Sequence, residues 1–376
     1  MKNKQTKFNT YIFLSTFART LIETFIPVIL FKNGFNLKEV IFYFFLYNII
    51  EFFLSFILVK SAIKRSNRFI RIIGLLVFIL VQVLLNMVNN SVFYLFLLAL
   101  FFAIYRTGYW ISRRYYNLKI IKKEHISKDY SIITIFNQLG KVFAGYIGSL
   151  FLDYIGTTTL TFIAIILYAI SIIPLYYIND KKRPSKNIKL NLLRTLKKLG
   201  FSNIYLIGIY EVINVANFLF ALYLFIYVKQ TFQTVGLFNL ITNLSVIAFA
   251  LIYGKHIDGE KNYLKLSVLL VAIVYLFKVN VVGGYLVLIC LFEGIALKMY
   301  EISLNKEVYS LSKKFEYNNY NLVYEIVCKS SRFIVLFIAL FIHDLKVMIY
   351  VSIGFLLISL FVNVKTIKKE DFSYQN

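Results

Sequence analysis

Apolar residues run through this chain in long blocks separated by short polar stretches. Ile41 to Val59 is one block, interrupted by Asn48 and Glu51, and Leu160 to Ile178 is another. At 1.5 Å per helical residue, a block near 20 residues crosses the roughly 30 Å hydrocarbon core of a bilayer. Twelve such segments are predicted, at 9–31, 38–60, 69–89, 91–112, 130–152, 157–178, 201–228, 233–254, 264–282, 284–305, 319–341 and 345–364. The pattern therefore predicts an all-α integral membrane protein with about 12 transmembrane helices. Met1 to Lys7 is basic, but the apolar run behind it is long and lacks a small-residue cleavage site, so it reads as a retained span. Pro27, in the second half of the first span, is expected to free a backbone carbonyl and bend that helix.

Composition agrees. Of 376 residues 59% are hydrophobic and 18% aromatic, while the charged share is 16% against about a quarter in soluble proteins. Cys290 and Cys328 lie in apolar stretches without the spacing of a metal site. The net charge of +24 invites a nucleic-acid reading, but its distribution argues otherwise. Of 42 Lys and Arg residues, 31 fall in the termini and loops of one side, counting those at the span edges. The loops of the other side hold only Lys32, Lys38, Lys229, Lys278 and Lys346. Such asymmetry over short loops is the positive-inside pattern, and it places both termini in the cytoplasm of a multi-pass plasma-membrane protein. The basic charge then meets the anionic lipid of the bilayer, and no nucleic-acid partner is needed.

The longest polar stretch divides the chain. Lys181-Lys182-Arg183-Pro184 is followed by Leu192-Leu193-Arg194-Thr195-Leu196-Lys197-Lys198, which reads as a basic amphipathic helix on the inner leaflet. Six spans precede this stretch and six follow, giving an N-terminal bundle at 1–178, a linker at 179–200 and a C-terminal bundle at 201–376. A constant offset of 191 residues lays Tyr109, Ile111 and Ser112 on Tyr300, Ile302 and Ser303, Lys141 on Arg332, and Asp153 on Asp344. A nearby offset of 194 lays Phe69-Ile70-Arg71 on Tyr263-Leu264-Lys265. Parallel six-helix repeats of this kind place a substrate site near the midplane between the halves.

The loop after the eighth span reads Gly254-Lys255-His256-Ile257-Asp258-Gly259-Glu260-Lys261. It resembles the cytoplasmic signature of the major facilitator superfamily, a Gly, three residues, an Asp, and basic residues around a further Gly. Gly259 stands where the family has a base, and Lys64 stands at the position of the Asp in the first-half loop. Gly140 to Gly148 in the fifth span resembles the glycine-rich motif of the superfamily's drug exporters, with Lys141 in place of a proline. Arg106-Thr107-Gly108 echoes those exporters' fourth-helix arginine. The resemblance implies a 6+6 helical fold, alternating access, a central cavity lined by spans one, four, five, seven, ten and eleven, action as a monomer, and export in preference to uptake.

Charges inside the spans are the candidate chemistry, because each costs at least about 2.5–3.5 kcal/mol at membrane depth without a partner or cavity. Six are cations (Arg19, Arg106, Lys141, Lys298, Lys329, Arg332) and six are acids (Glu23, Glu51, Glu211, Glu293, Glu301, Glu325). Arg19 with Glu23, and Glu325 with Lys329, stand four apart on one helix face, and Lys298 with Glu301 three apart. Glu51 reads as a structural partner for a neighbouring helix. Glu23, Glu211 and Glu293 are the candidate proton-coupling acids, since a buried Glu whose cationic partner comes and goes changes its proton occupancy. Asn137, Gln138, Asn214 and Asn217 supply hydrogen bonds, and Tyr109 and Trp110 an aromatic wall, with Trp110 also suited to anchor at the interface. Lys141, Lys329 and Arg332, clustered on spans five and eleven, alternatively suit an anionic group such as a carboxylate or phosphate.

The expected function is proton-coupled carriage of a small organic or amphipathic solute. A carrier of lipid or lipid-linked substrates, or a transport-inactive sensor or immunity protein, are the alternatives. No phosphate-binding Gly-Lys-Ser/Thr loop is present, and His125, His256 and His343 are scattered, so neither an ATP-driven pump, an enzyme, a cofactor nor a metal site is expected.

Overall fold

The computed structural model describes residues 2–64, 66–88, 90–121, 126–178, 191–253, 263–281, 283–312, 315, 317–342 and 344–362. All regular structure within them is helical. The first pass is a broken helix, α1 (Lys2–Glu23) and α2 (Ile26–Lys32), interrupted where Pro27 was expected to act. Pro27 occupies the first turn of α2, a position where a missing N–H goes unneeded. Then follow α3 (Leu37–Lys64), α4 (Asn67–Asn86), α5 (Val92–Ile120), α6 (Ile126–Tyr154) and α7 (Thr157–Tyr176). The second group comprises α8 (Leu192–Tyr223, continued by a π turn to Val228), α9 (Phe232–Tyr253), α10 (Leu264–Lys278), α11 (Tyr285–Ser312), α12 (Tyr317–Phe341) and α13 (Leu345–Ile358). These make twelve passes in two groups of six.

Local chemistry sets several of the starts. Asn36 and Glu39 form a reciprocal capping box at the head of α3, with the Glu39 N–H donating to Asn36 Oδ1 at 3.0 Å and the Asn36 N–H to Glu39 Oε2 at 2.8 Å. The Ser66 and Ser91 hydroxyls accept from the third residue on, capping α4 and α5. Gly200, at φ 73°, breaks the path between the basic helix that begins at Leu192 and the membrane part of α8. That basic segment exposes Leu193 and Arg194 and buries Thr195 and Leu199.

Several limits differ from the hydropathy reading. α5 runs on to Ile120 and α11 to Ser312, beyond the expected ends of their spans. α10 stops at Lys278 and α13 at Ile358, shorter than expected. Seven passes are long and apolar enough to be recognised by length and composition alone. The remainder, α6 and α10 to α13, are either short or carry interior charge.

Within the first group α1 packs on α6 and α7, α4 lies between α5 and α7, and α3 lies on α5. Within the second, α8 packs on α12 and α13, while α11 holds α9 and α10. Besides smaller contacts of α6 with α11, α2 with α8 and α5 with α12, two extensive contacts join the groups, α6 with α9 and α3 with α12. They are equivalent in the repeat, the fifth pass meeting the eighth and the second meeting the eleventh, so the interface has approximate twofold character. Large apolar side chains such as Phe53, Leu76, Phe162 and Phe292 point outward, as lipid-facing surfaces require. The buried interior carries Glu51, Arg71, Glu293, Lys298 and Lys329 instead.

The glycines of α6 let α1 approach closely. A Cβ at Gly140 would lie 2.8 Å from the Phe13 carbonyl oxygen, and one at Gly148 would lie 2.5 Å from that of Leu21. Both obstacles are backbone and cannot swing away. Gly148→Val is therefore expected to destabilise the protein by about 1–3 kcal/mol, the usual overpacking range, and to lower its thermal midpoint. Gly145→Ala, where a Cβ meets nothing within 4 Å, should leave that midpoint unchanged in the same thermal-shift measurement.

Candidate functional site

Between the two groups lies a cavity of two lobes, about 330 Å³ and 340 Å³. Helix alternation puts the start of α1, the end of α5 and the start of α12 on one face, here termed the basic face. The lobe nearer that face is lined by Arg113, Arg114, Asn117, Tyr130, Tyr324 and Glu325, among others. The lobe nearer the opposite face is lined by Glu23, Asn217, Phe220, Thr242, Lys278 and Glu293, among others. Arg19, Thr20, Gln138, Lys141, Tyr210, Asn214 and Glu301 belong to both and form the waist.

Most of the residues singled out in the sequence meet here. Glu23, Asn217 and Glu293 line the lobe of the opposite face, while Arg106, Trp110, Asn137, Glu211, Lys329 and Arg332 line the other. Arg19, Gln138, Lys141 and Asn214 stand at the waist. Tyr109 differs, because it is buried behind the wall, where the Arg19 guanidinium lies 3.7 Å from its ring centroid. Trp110 faces the cavity, with the Arg113 guanidinium 5.1 Å from its ring, and does not act as the interface anchor its position near the span end suggested. Gly254 and Asp258 of the signature loop lie outside the described residues, as do His125, His256 and His343.

Ion pairs within each half fix the walls. Arg19 grips Glu23 with two hydrogen bonds of 2.8 and 2.7 Å, and the Tyr105 hydroxyl donates a third of 2.7 Å to the same carboxylate. Lys278 Nζ lies 2.5 Å from Glu293 Oε1, and the Thr242 hydroxyl donates to Oε2 at 3.1 Å. Lys298 and Glu301 pair at 3.2 Å, as their spacing predicts. Lys278 corrects the sequence reading, which placed it in a loop. It is 3% exposed, turned inward from the last turn of α10, with its ammonium 3.6 Å from the Phe220 ring centroid.

Other pairs cross between the halves. Glu51 on α3 is fully buried and faces Lys329 at 3.2 Å and Arg332 at 3.5 Å on α12, and Arg106 of its own half at 3.6 Å. Arg332 also reaches Glu211 at 3.0 Å, and Asn214 donates to that carboxylate at 3.0 Å. Lys329 also meets Glu325 at 3.3 Å, and Glu325 in turn pairs with Arg114 of the first half. The sequence reading that grouped Lys329 and Arg332 as cations available to an anionic ligand is therefore corrected, since both are engaged by carboxylates.

Both faces are bridged between the halves, by different chemistry. Toward the opposite face the bridge is aromatic: Phe44 stacks on Phe218 with ring centroids 4.0 Å apart, and Phe45 on Phe333 at 5.1 Å. Asp153 at the end of α6 also accepts from the N–H of Gln233 at 3.0 Å. Toward the basic face the bridge is polar, made by the Arg114–Glu325 pair and by Tyr130, whose hydroxyl donates to Glu301 at 2.8 Å. Val59 and Ile111 pack with Leu322 and Ile326 beside it.

Hydropathy reading missed Arg71, Arg113 and Arg114. Arg71 is 1% exposed inside the first half, its guanidinium 4.4 Å from the Tyr109 ring and 4.9 Å from that of Tyr11. All three stand within two turns of an expected span end and were assigned to basic loops. The signal that would have recovered two of them is helical spacing, since Arg106, Trp110 and Arg114, like Tyr109 and Arg113, recur at four-residue steps.

Two helical groups around a charged internal cavity, with apolar outer surfaces, define a multi-pass membrane transporter. The sequence matches the model of the Major Facilitator Superfamily over residues 10–335, and the chain belongs to that family, whose members carry small-molecule solutes across membranes. A comparison with curated proteins finds no match. Among solved structures, a bacterial homologue of the iron transporter ferroportin in its outward-facing state is similar at TM-score 0.69 and 13% identity, covering 96% of this chain and 98% of that one. The nucleoside transporter NupG is similar at TM-score 0.69 and 16% identity, covering 95% and 98%. The human organic anion transporter MFSD10 is similar at 0.62 and 12%, covering 96% and 99%. At these identities the likeness is one of fold.

Proposed function

We propose that the chain is a secondary active transporter that moves a small organic solute by alternating access and couples that movement to protons. The observation that carries this reading is the charged seam between the halves. Glu51 and Arg114 of the first group are held by Lys329, Arg332 and Glu325 of the second. Rocking one half against the other must loosen such pairs. A carboxylate in so dry a place needs a counter-charge, and a proton is the neutraliser left when a cation withdraws. Glu23, Glu211 and Glu293 are the proposed coupling acids. Glu211 connects most directly to the seam, because its partner Arg332 also faces Glu51.

In this reading residues 1–178 and 201–376 are the moving bundles and 179–200 their linker. The basic face and both termini are cytoplasmic in the plasma membrane by the positive-inside pattern. The carrier acts as a monomer and exports its solute, a direction drawn from the fourth- and fifth-span motifs. Polar lining along both lobes favours a water-soluble solute over a lipid, whose carriage calls for an amphiphilic cavity.

Cysteines placed in the two lobes offer a test, because the native Cys290 and Cys328 are 0% and 1% exposed, whereas Asn243 in the lobe of the opposite face and Tyr324 in that of the basic face are half-buried. In sealed vesicles of known orientation, Tyr324→Cys in a protein with Cys290→Ser and Cys328→Ser should react with an impermeant maleimide only from the basic-face side. Asn243→Cys in the same background should react only from the other side. Conditions that speed one reaction should slow the other. Reaction of both cysteines from a single side would contradict alternating access.

A further inference from the structure

We infer that the waist of the cavity binds an anionic oxygen group of the solute, a carboxylate or phosphate, on Lys141 and Arg113. The inference rests on the carrier reading above and names the substrate class of that cavity. Nine cations line the two lobes, and seven of them have a carboxylate within 4.0 Å. Lys141 and Arg113 are the two for which none is found among the described residues. Five glutamates line the lobes, and Glu51 behind the wall makes six, so the walls carry three more positive than negative groups.

Arg113 is 8% exposed, and the hydrogen-bond partners of its guanidinium are not carboxylates. One nitrogen donates to the Tyr109 hydroxyl at 2.9 Å and another to Asn137 Oδ1 at 3.0 Å, while Nε is buried without a partner. Trp110 Nε1, on the wall of the same lobe, is a second buried donor without an acceptor. Thr16 donates to Asn137 Oδ1 at 2.8 Å, so that oxygen already accepts two hydrogen bonds and the amide NH₂ remains as a donor. Asn137 and Lys141 stand one turn apart on α6, which brings the Lys141 ammonium to the face that Asn137 shares with Arg113. The carboxylate that also faces the waist, Glu301, is occupied by Lys298 at 3.2 Å and Tyr130 at 2.8 Å.

Donors cluster here, two of them charged: Arg113 is buried and Lys141 half-buried, and neither has a carboxylate within 4.0 Å among the described residues. Leaving such groups desolvated and unpaired is strongly unfavourable, so the site selects a ligand that brings negative charge and lone pairs. A neutral solute would bury the same cations uncompensated. Lobes of about 330 and 340 Å³ suit a small molecule, and Trp110, Tyr130 and Tyr324 give its apolar part an aromatic wall.

Trp110 is the single tryptophan of the chain, so its emission reports on this lobe directly. Purified full-length protein in nanodiscs would be titrated with two matched pairs, hexanoate against hexanamide and butyl phosphate against butanol. At least one anion should give a saturable change at a concentration at least about tenfold below that of its neutral partner, the loss expected when a charge-assisted contact is removed. Which pair responds separates carboxylate from phosphate. Lys141→Gln and Arg113→Gln should each weaken the response at least about tenfold, whereas Lys141→Arg should retain it. Equal responses to charged and neutral partners, or no response to either anion, would overturn the inference with the wild-type protein alone. An anion that binds but does not cross liposome membranes would leave the inference standing and defeat the carrier reading. A neutral solute transported without anion binding would do the reverse.

Discussion

Glu51→Ala is expected to lower the stability of the protein by about 3–5 kcal/mol, the usual penalty for removing one partner of a buried ion cluster. The carboxylate is fully buried, and three cations converge on it, Lys329 at 3.2 Å, Arg332 at 3.5 Å and Arg106 at 3.6 Å. Glu211 and Glu325 remain after the substitution and satisfy Arg332 and Lys329 in part. Arg106 has no second carboxylate within 4.0 Å among the described residues, so most of the penalty falls on it. A melting curve of the purified protein, followed by helical circular dichroism, measures the loss. Glu51→Ala combined with Arg106→Leu should recover part of it, because the stranded charge is then gone. A single substitution with an unchanged midpoint would mean that Glu51 carries no net pairing energy.

The second large effect is expected at Lys278. Lys278→Met strands Glu293, 1% exposed, without a cation within 4.0 Å among the described residues and with the Thr242 hydroxyl, at 3.1 Å, as a neutral donor. The expected destabilisation is again about 3–5 kcal/mol. Lys278→Met with Glu293→Gln should return close to wild type, since the amide can still accept from Thr242 and the methionine fills the space against Phe220 and Tyr275. The double-mutant cycle isolates the pair, and additive losses would show that the two side chains do not interact. Transport by the double variant separates structure from coupling, because a proton-coupling role for Glu293 requires that the refolded protein no longer move protons with its solute.

The twelve passes and their grouping were legible because lipid allows few alternatives: a span must be apolar, near 20 residues and hydrogen-bonded within itself. Pairs inside one helix were legible for a similar reason. Arg19 with Glu23, Glu325 with Lys329 and Lys298 with Glu301 follow from the pitch of the helix, and the structure forms all three. Pairs across the halves were not, because Glu51 with Lys329 and Arg114 with Glu325 depend on how α3 and α5 register against α12. Hydropathy is silent on that register.

Charges near helix ends were misread for another reason. A lysine one turn from the end of a span either snorkels to the interface or turns inward, and the two choices have the same local sequence. Lys278 turns inward because Glu293 awaits it, and Arg114 because Glu325 does. The offset of 191 residues marked Lys141 and Arg332 as equivalent, and both do face the cavity. Their neighbours differ, since Arg332 meets Glu51 and Glu211 while Lys141 has no carboxylate within 4.0 Å among the described residues, the ground for its proposed contact with the solute.

The most direct measurement is solute-dependent proton movement in proteoliposomes containing the full chain and an internal pH-sensitive dye. A proton gradient would be imposed, and pooled small anions, neutral solutes and cations added in turn. Glu23→Gln, Glu211→Gln and Glu293→Gln would serve as comparisons. The expected result is proton movement on addition of an anionic pool, abolished in at least one of the three variants while that protein remains folded. Silence of the wild-type protein toward every pool, with its fold intact, would contradict the claim that this chain is a proton-coupled carrier.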